Sequence, residues 1–74
     1  MQQKLALCPE PNETWRHYKG GSYRIIGVGR IEATMELVVI YVSAVGQIWV
    51  RPLVNFMEDV VTEKGIEPRF WKES

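Results

Sequence analysis

The chain has 74 residues, 46% of them hydrophobic, which suits one small globular domain and no more. Nine basic residues balance nine acidic ones, which argues against bulk binding of nucleic acid or anionic membrane as its main task. A single cysteine supplies neither an intrachain disulfide nor a zinc-finger ligand set, and no apolar run approaches the ~20 residues that span a bilayer.

The apolar stretch Leu5–Cys8 is too short for a signal peptide, so the chain reads as cytoplasmic, in the host cytoplasm if the source is viral. A domain of this size buries only about 60–65% of its unfolded surface. With no disulfide and no evident metal, self-association is the remaining common route to stability, and a homo-oligomer is expected.

Residues 1–13 read as a flexible arm, because Pro9, Pro11 and Asn12 interrupt any period; residues 14–74 read as the domain. Trp15–Tyr18 and Tyr23–Arg30 are expected as a hairpin around Gly20-Gly21. The second run alternates, with Tyr23, Ile25, Gly27 and Gly29 on one face and Arg24, Ile26, Val28 and Arg30 on the other. Its two glycines at i, i+2 suggest a bend or a close packing partner. Met35–Ala44, rich in Val, Ile and Tyr, is expected as the third strand. It is apolar on both faces, so one face is expected against another subunit. Gln47–Arg51 follows through a tight turn at Gly46. Pro52 ends it, and the spacing of Leu53 and Phe56 predicts one helical turn. Asp59–Glu63 is a fifth strand with a turn at Lys64-Gly65, and Arg69–Trp71 a last edge strand. The expected fold is all-β: a small SH3-like barrel of five to six short antiparallel strands with one helical turn, its strands lying in sequence order.

Charge is laid out unevenly. Residues 1–30 carry five basic and two acidic groups, net +3; residues 31–74 carry four and seven, net −3. Trp15 to Arg30 contains no acid. A basic strip on a neutral protein suits a compact anion better than a long polyanion, and it also suits a solvated face paired with acids from the other half.

Three motifs carry a resemblance. Trp15-Arg16-His17-Tyr18-Lys19-Gly20 opens the domain, Trp49-Val50-Arg51-Pro52 with Phe56 follows, and Pro68-Arg69-Phe70 closes it. In this order, over roughly Thr14 to Trp71, they resemble a small bacterial and phage family known as domain of unknown function sixteen-fifty-three. The resemblance implies an SH3-like barrel and assigns no activity. The chain departs from the family pattern at Ile31-Glu32-Ala33-Thr34 and in a shorter loop before Trp49.

Catalysis is hard to build from these residues. Cys8 lies in the expected arm, His17 is the only histidine, and no acid stands near it in sequence. There is no metal-ligand spacing and no glycine-rich phosphate loop, so no catalytic residue, metal or cofactor is expected. Arginine beside aromatics is the better signal. Trp49 and Arg51 share a strand face at i, i+2, as do Arg16 with Tyr18 and Arg69 with Trp71. A guanidinium stacks on a ring while offering its donor fork to phosphate or carboxylate. The expected ligand-binding set is therefore Arg16, Tyr18, Lys19, Tyr41, Trp49, Arg51 and Arg69, holding a compact nucleotide-like anion without transforming it. A phage protein that sequesters a host nucleotide immune signal is one such use, by analogy. Other readings stay open. Trp15, Trp49 and Phe70 suit a core, Arg51 and Arg69 suit carbonyl caps or pairs with Glu36 and Glu58, and His17 suits a structural role. The module as a whole also suits RNA or DNA, or an extended peptide.

Overall fold

A computed structural model describes residues 8–73. It is an all-β domain. The strands are β1 (Thr14–His17), β2 (Ser22–Arg30), β3 (Leu37–Val42), β4 (Ile48–Pro52), β5 (Asp59–Thr62), β6 (Gly65–Pro68) and β7 (Phe70–Lys72). One helical turn, α1 (Leu53–Phe56), lies between β4 and β5. Five strands form one antiparallel sheet in the order β4-β3-β2-β1-β7, and β5 and β6 form a separate hairpin.

The order differs from simple sequence order at one place. β1 to β4 are consecutive neighbours, but β7 returns to lie beside β1, pairing Trp15 with Lys72 and His17 with Phe70. β6 is additional to the expected strands, because Gly65-Ile66-Glu67-Pro68 has little strand character of its own; it is held by pairing with β5, Val61 against Ile66. The third strand begins at Leu37 rather than Met35. Met35 takes a left-handed backbone (φ 65°) to close a turn in which its N–H donates to the Ile31 carbonyl.

The turns follow their glycines. Gly20 and Gly21 (φ 106° and 92°) reverse the chain between β1 and β2, a conformation that costs any Cβ-bearing residue free energy. Between Ile25 and Gly27 the β2–β3 register slips by one residue, which is a β-bulge. The bulge falls at the first glycine of the pair, Val28 lies opposite Val39, and along β2 Arg24, Ile26, Val28 and Arg30 stay on the more exposed side, as the alternation requires.

Of the arm, residues 1–7 lie outside the described residues. Asn12 and Glu13, at its end, are fastened to the sheet. The Asn12 N–H donates to the Ile25 carbonyl, and the Ile25 N–H to that of Glu13. The Glu13 carboxylate accepts the Trp15 indole N–H at 2.9 Å and pairs with Lys72 at 3.2 Å. These contacts hold Glu13 below the usual carboxylate range, the indole bond being the largest cause.

The core is aromatic. Trp15, Ile25, Val39, Tyr41, Phe56 and Phe70 form one buried cluster, with Tyr23 and Leu53 packed against it. Phe56 stacks on Phe70 with ring centroids 3.9 Å apart and nearly parallel, and meets Trp15 and Tyr41 edge-on. α1 has no side-chain cap, and burial of Phe56 accounts for its place.

Candidate functional site

Every strand of the large sheet sends one or two side chains to a pocket of about 210 Å³. His17 comes from β1, Tyr23 from β2, Tyr41 from β3, Trp49 and Arg51 from β4, and Phe70 from β7. The cross-strand register explains the gathering. His17 is opposite Phe70, and Tyr41 is opposite Trp49, so each pair shares a face of the sheet. Trp49 and Arg51 lie on one face, as the i, i+2 spacing requires.

Trp49 is a wall of this pocket and not part of the core, with 49% of its surface exposed. Tyr41 and Phe70 also line it, though both are buried. Tyr23 meets Tyr41 edge-on at 5.3 Å and Phe70 at 6.2 Å. The walls are thus rings held rigid by the core behind them.

Arg51 is the polar centre. Its Nε donates to the Tyr41 hydroxyl at 3.2 Å, and Nη1 donates to the Asn55 Oδ1. Its guanidinium carbon lies 5.5 Å from the Phe70 ring centroid. Among the described residues, Arg51 forms no ion pair. The nearest acid in its network, Glu58, is one residue removed: Asn55 Nδ2 donates to Glu58 Oε1, which also pairs with Arg69 at 3.3 Å. A neutral amide therefore stands between the guanidinium and the carboxylate.

His17 is the second polar group of the pocket. Its Nδ1 accepts the Lys19 backbone N–H at 3.1 Å, which puts the neutral ring's proton on Nε2. Partial burial pushes its pKa below 6.5, and the positive charges of Arg51, Arg69 and Lys19 add to that. Burial first, and the positive charges second, thus favour the neutral ring, and no acid lines the pocket.

The seven candidate residues separate into three groups. Tyr41, Trp49 and Arg51 meet in the pocket. Arg69 stands behind it, donating from Nε to the Asn55 carbonyl and pairing with Glu58; both structural roles considered for it are fulfilled. Arg16, Tyr18 and Lys19 do not reach the pocket. Arg16 points to the opposite face of β1, where Glu73 and Ser22 hold it. Tyr18 follows β1 and, with Trp71, lines a separate cleft of about 300 Å³ beside the β5–β6 hairpin. Lys19 sits 5.8 Å from the Tyr18 ring centroid. A wider depression of about 440 Å³ near the β3–β4 turn has Arg24 as its one charged group and holds none of the seven.

Sequence reasoning missed His17, Tyr23, Phe70 and Asn55 as parts of this site. His17 is i+2 from buried Trp15, and Tyr23 is i−2 from buried Ile25, so their inward direction was readable. Asn55 had no signal, since its role depends on α1 folding back against β4. Among the described residues, no group of three or more His, Cys, Asp or Glu could hold a metal, and no helix is long and apolar enough to cross a membrane.

Comparison with known proteins agrees with the fold. A family model described as a protein of unknown function (DUF1653) matches residues 13–72, a span that contains all seven strands and the whole pocket. The chain is similar to a crystal structure of a DUF1653 protein from Bordetella bronchiseptica, with 34% identity and a TM-score of 0.74, covering 85% of this chain and 82% of that one. No curated protein matches the chain.

Proposed function

We propose that this chain, which belongs to the DUF1653 family, is a non-enzymatic binding module that captures a compact, planar, anionic ligand of the nucleotide kind and assembles with copies of itself. One observation carries the reading. A half-buried arginine, Arg51, has neutral partners only, inside a pocket walled by rings. A guanidinium drawn partly out of water without a carboxylate is costly to keep, and an incoming phosphate or carboxylate offsets that cost. The rings supply the face for a base, at about 1–3 kcal/mol per stacked ring. The His17 Nε2–H and the Arg51 donors make the polar side donor-rich, which matches an anion. A cation would be repelled by Arg51, whose charge adds to burial in lowering the His17 pKa.

No nucleophile and base pair stands in the pocket, so the ligand is held and released unchanged. A cytoplasmic protein with this property would lower the free concentration of a nucleotide signal, as a phage protein would do against a host immune messenger. The nucleic-acid alternative draws less support. Of the basic strip, Arg16 is paired with Glu73 and Arg30 donates to the Met35 carbonyl, so the strip does not form one free face.

The test is a thermal-shift and calorimetry panel of mononucleotides, cyclic dinucleotides and short oligonucleotides. A ligand at 100 times its dissociation constant adds about 2.7 kcal/mol of stability. The reading expects a shift with a small nucleotide that Arg51→Met abolishes and Arg16→Met leaves unchanged, with intact ligand recovered after denaturation. Shifts confined to oligonucleotides, and steeply salt-dependent, would transfer the function to the nucleic-acid alternative. No shift across the panel, or equal loss in both variants, would sink the proposal.

A further inference from the structure

We infer that two copies of this chain pair antiparallel along β4 about a twofold axis at Val50, so that each copy's Trp49 borders the other's Arg51. The inference rests on the self-association in the proposed function and not on the ligand.

β4 is one edge of the five-stranded sheet. Edge strands in soluble proteins are usually guarded by charge, proline or shortness. The other edges here follow that rule. β7 has three residues and ends in Lys72, β5 opens with Asp59, and β6 carries Glu67 and Pro68. β4 has a proline only at its end, Pro52, and no charge from Ile48 to Val50, and its one charged side chain, Arg51, points into the pocket. Ile48 is 55% exposed and Val50 60%. Both belong to the face opposite the pocket, beside half-buried Ile40 and Val42.

The hydrogen-bond phase shows which backbone groups face outward. The Ser43 N–H donates to the Gln47 carbonyl, so residues 43 and 47 are a hydrogen-bonded pair of the β3–β4 hairpin. Such pairs alternate along an antiparallel ladder. Gln47, Trp49 and Arg51 therefore direct N–H and C=O toward β3, and Ile48, Val50 and Pro52 direct theirs outward. Pro52 has no N–H to leave unpaired on that side. A twofold at Val50 makes two bonds between the Val50 residues. It makes two more, one from each Ile48 N–H to the carbonyl opposite it.

The same register sets Trp49 against the partner's Arg51 in a non-hydrogen-bonded pair, where Cα atoms lie about 4.5 Å apart and side chains touch. The half-exposed indole then covers the guanidinium that has no acid of its own, a cation–π contact. The dimer would complete the rim of each pocket. A standard interface takes about 800 Å² from each partner, about 15% of the 5397 Å² surface of this chain. Side chains of Ile48, Trp49 and Val50 and the edge backbone are the surface available for it.

Light scattering coupled to size exclusion, without ligand, tests this. The wild type is expected as a dimer and Val50→Lys as a folded monomer, because the substitution sets two ammonium groups face to face across the axis. Val50→Cys is the second measurement. A hydrogen-bonded pair has Cα atoms about 5.5 Å apart, within disulfide range, so mild oxidation should give a covalent dimer that Val45→Cys and the wild type do not. A monomeric wild type overturns the inference together with the self-association. An oligomeric wild type with an oligomeric Val50→Lys, or with no Val50→Cys cross-link, overturns β4 pairing alone. Loss of nucleotide binding is read separately and bears on neither.

Discussion

Replacing Phe56 with leucine is the most informative change to the core. The ring is fully buried, at 0% exposure, and joins three others. It stacks on Phe70 at 3.9 Å and meets Trp15 at 5.4 Å and Tyr41 at 5.5 Å edge-on. Each aromatic pair is worth about 0.5–1.5 kcal/mol beyond its buried area, and three pairs sharing one ring are not fully additive. Leucine keeps most of the apolar burial and loses the pairs, so the expected cost is about 1.5–3 kcal/mol. A domain of this length is stable by only roughly 4–11 kcal/mol, so alanine, at about 3–5 kcal/mol, risks unfolding it, and leucine is the better probe. In a domain of this size 1 kcal/mol moves the Tm by about 4–8 °C, so the drop should be roughly 6–24 °C. Urea unfolding followed by the fluorescence of buried Trp15, with calorimetry, measures it. Val54→Ser on the same turn, at an exposed position, is the control and should stay within about 0.5 kcal/mol. A Phe56→Leu loss below about 0.5 kcal/mol at unchanged m-value would refute the view that this ring joins α1 to the sheet.

Three further outcomes follow from the geometry. Glu13 has its pKa lowered mainly by the Trp15 indole bond, so its contribution is full above pH 4.5 and is lost as pH falls through the folded value; Glu13→Gln should flatten that acid limb in urea midpoints measured against pH. His17 has a folded pKa below 6.5, so the unfolded state binds more protons as pH drops past 6.5 and stability falls in that direction; Arg51→Met removes one of the charges responsible, and NMR titration should show the His17 pKa moving up. Gly46 has φ 88° with open space where a Cβ would sit, so Gly46→Ala should cost about 1–2 kcal/mol from backbone conformation alone, read as a shift in urea midpoint.

The functional site divides along the same line as the electrostatics. Arg69 and Arg16 each have a carboxylate, at 3.3 Å and 3.0 Å, whereas Arg51 has an amide and a hydroxyl. Three arginines that look alike in the sequence thus have different relations to solvent and to a ligand. The Arg16 pair is a surface contact of about 0–1 kcal/mol, the Arg69 pair is partly buried, and among the described residues the third has no ion pair beside its cavity.

Local order along the chain was legible in the residues themselves. Alternation and β-propensity placed strands at Tyr23–Arg30 and Gln47–Arg51, glycine placed the turns at Gly20-Gly21 and Gly46, and Pro52 with Phe56 placed the helical turn. The shared face of Trp49 and Arg51 follows from strand period alone. These features depend on the backbone preferences of neighbouring residues, which a single sequence contains. Partnership across the fold does not. The return of β7 beside β1 sets Phe70 against His17 and closes the pocket, and the folding of α1 against β4 sets Asn55, not an acid, against Arg51. The β1–β2 turn carries Tyr18 and Lys19 away from the pocket, although they follow His17 directly in sequence. Which side chains meet is decided by register between strands far apart in sequence, and by which polar group each charge reaches first, so that part of the molecule belongs to the tertiary structure.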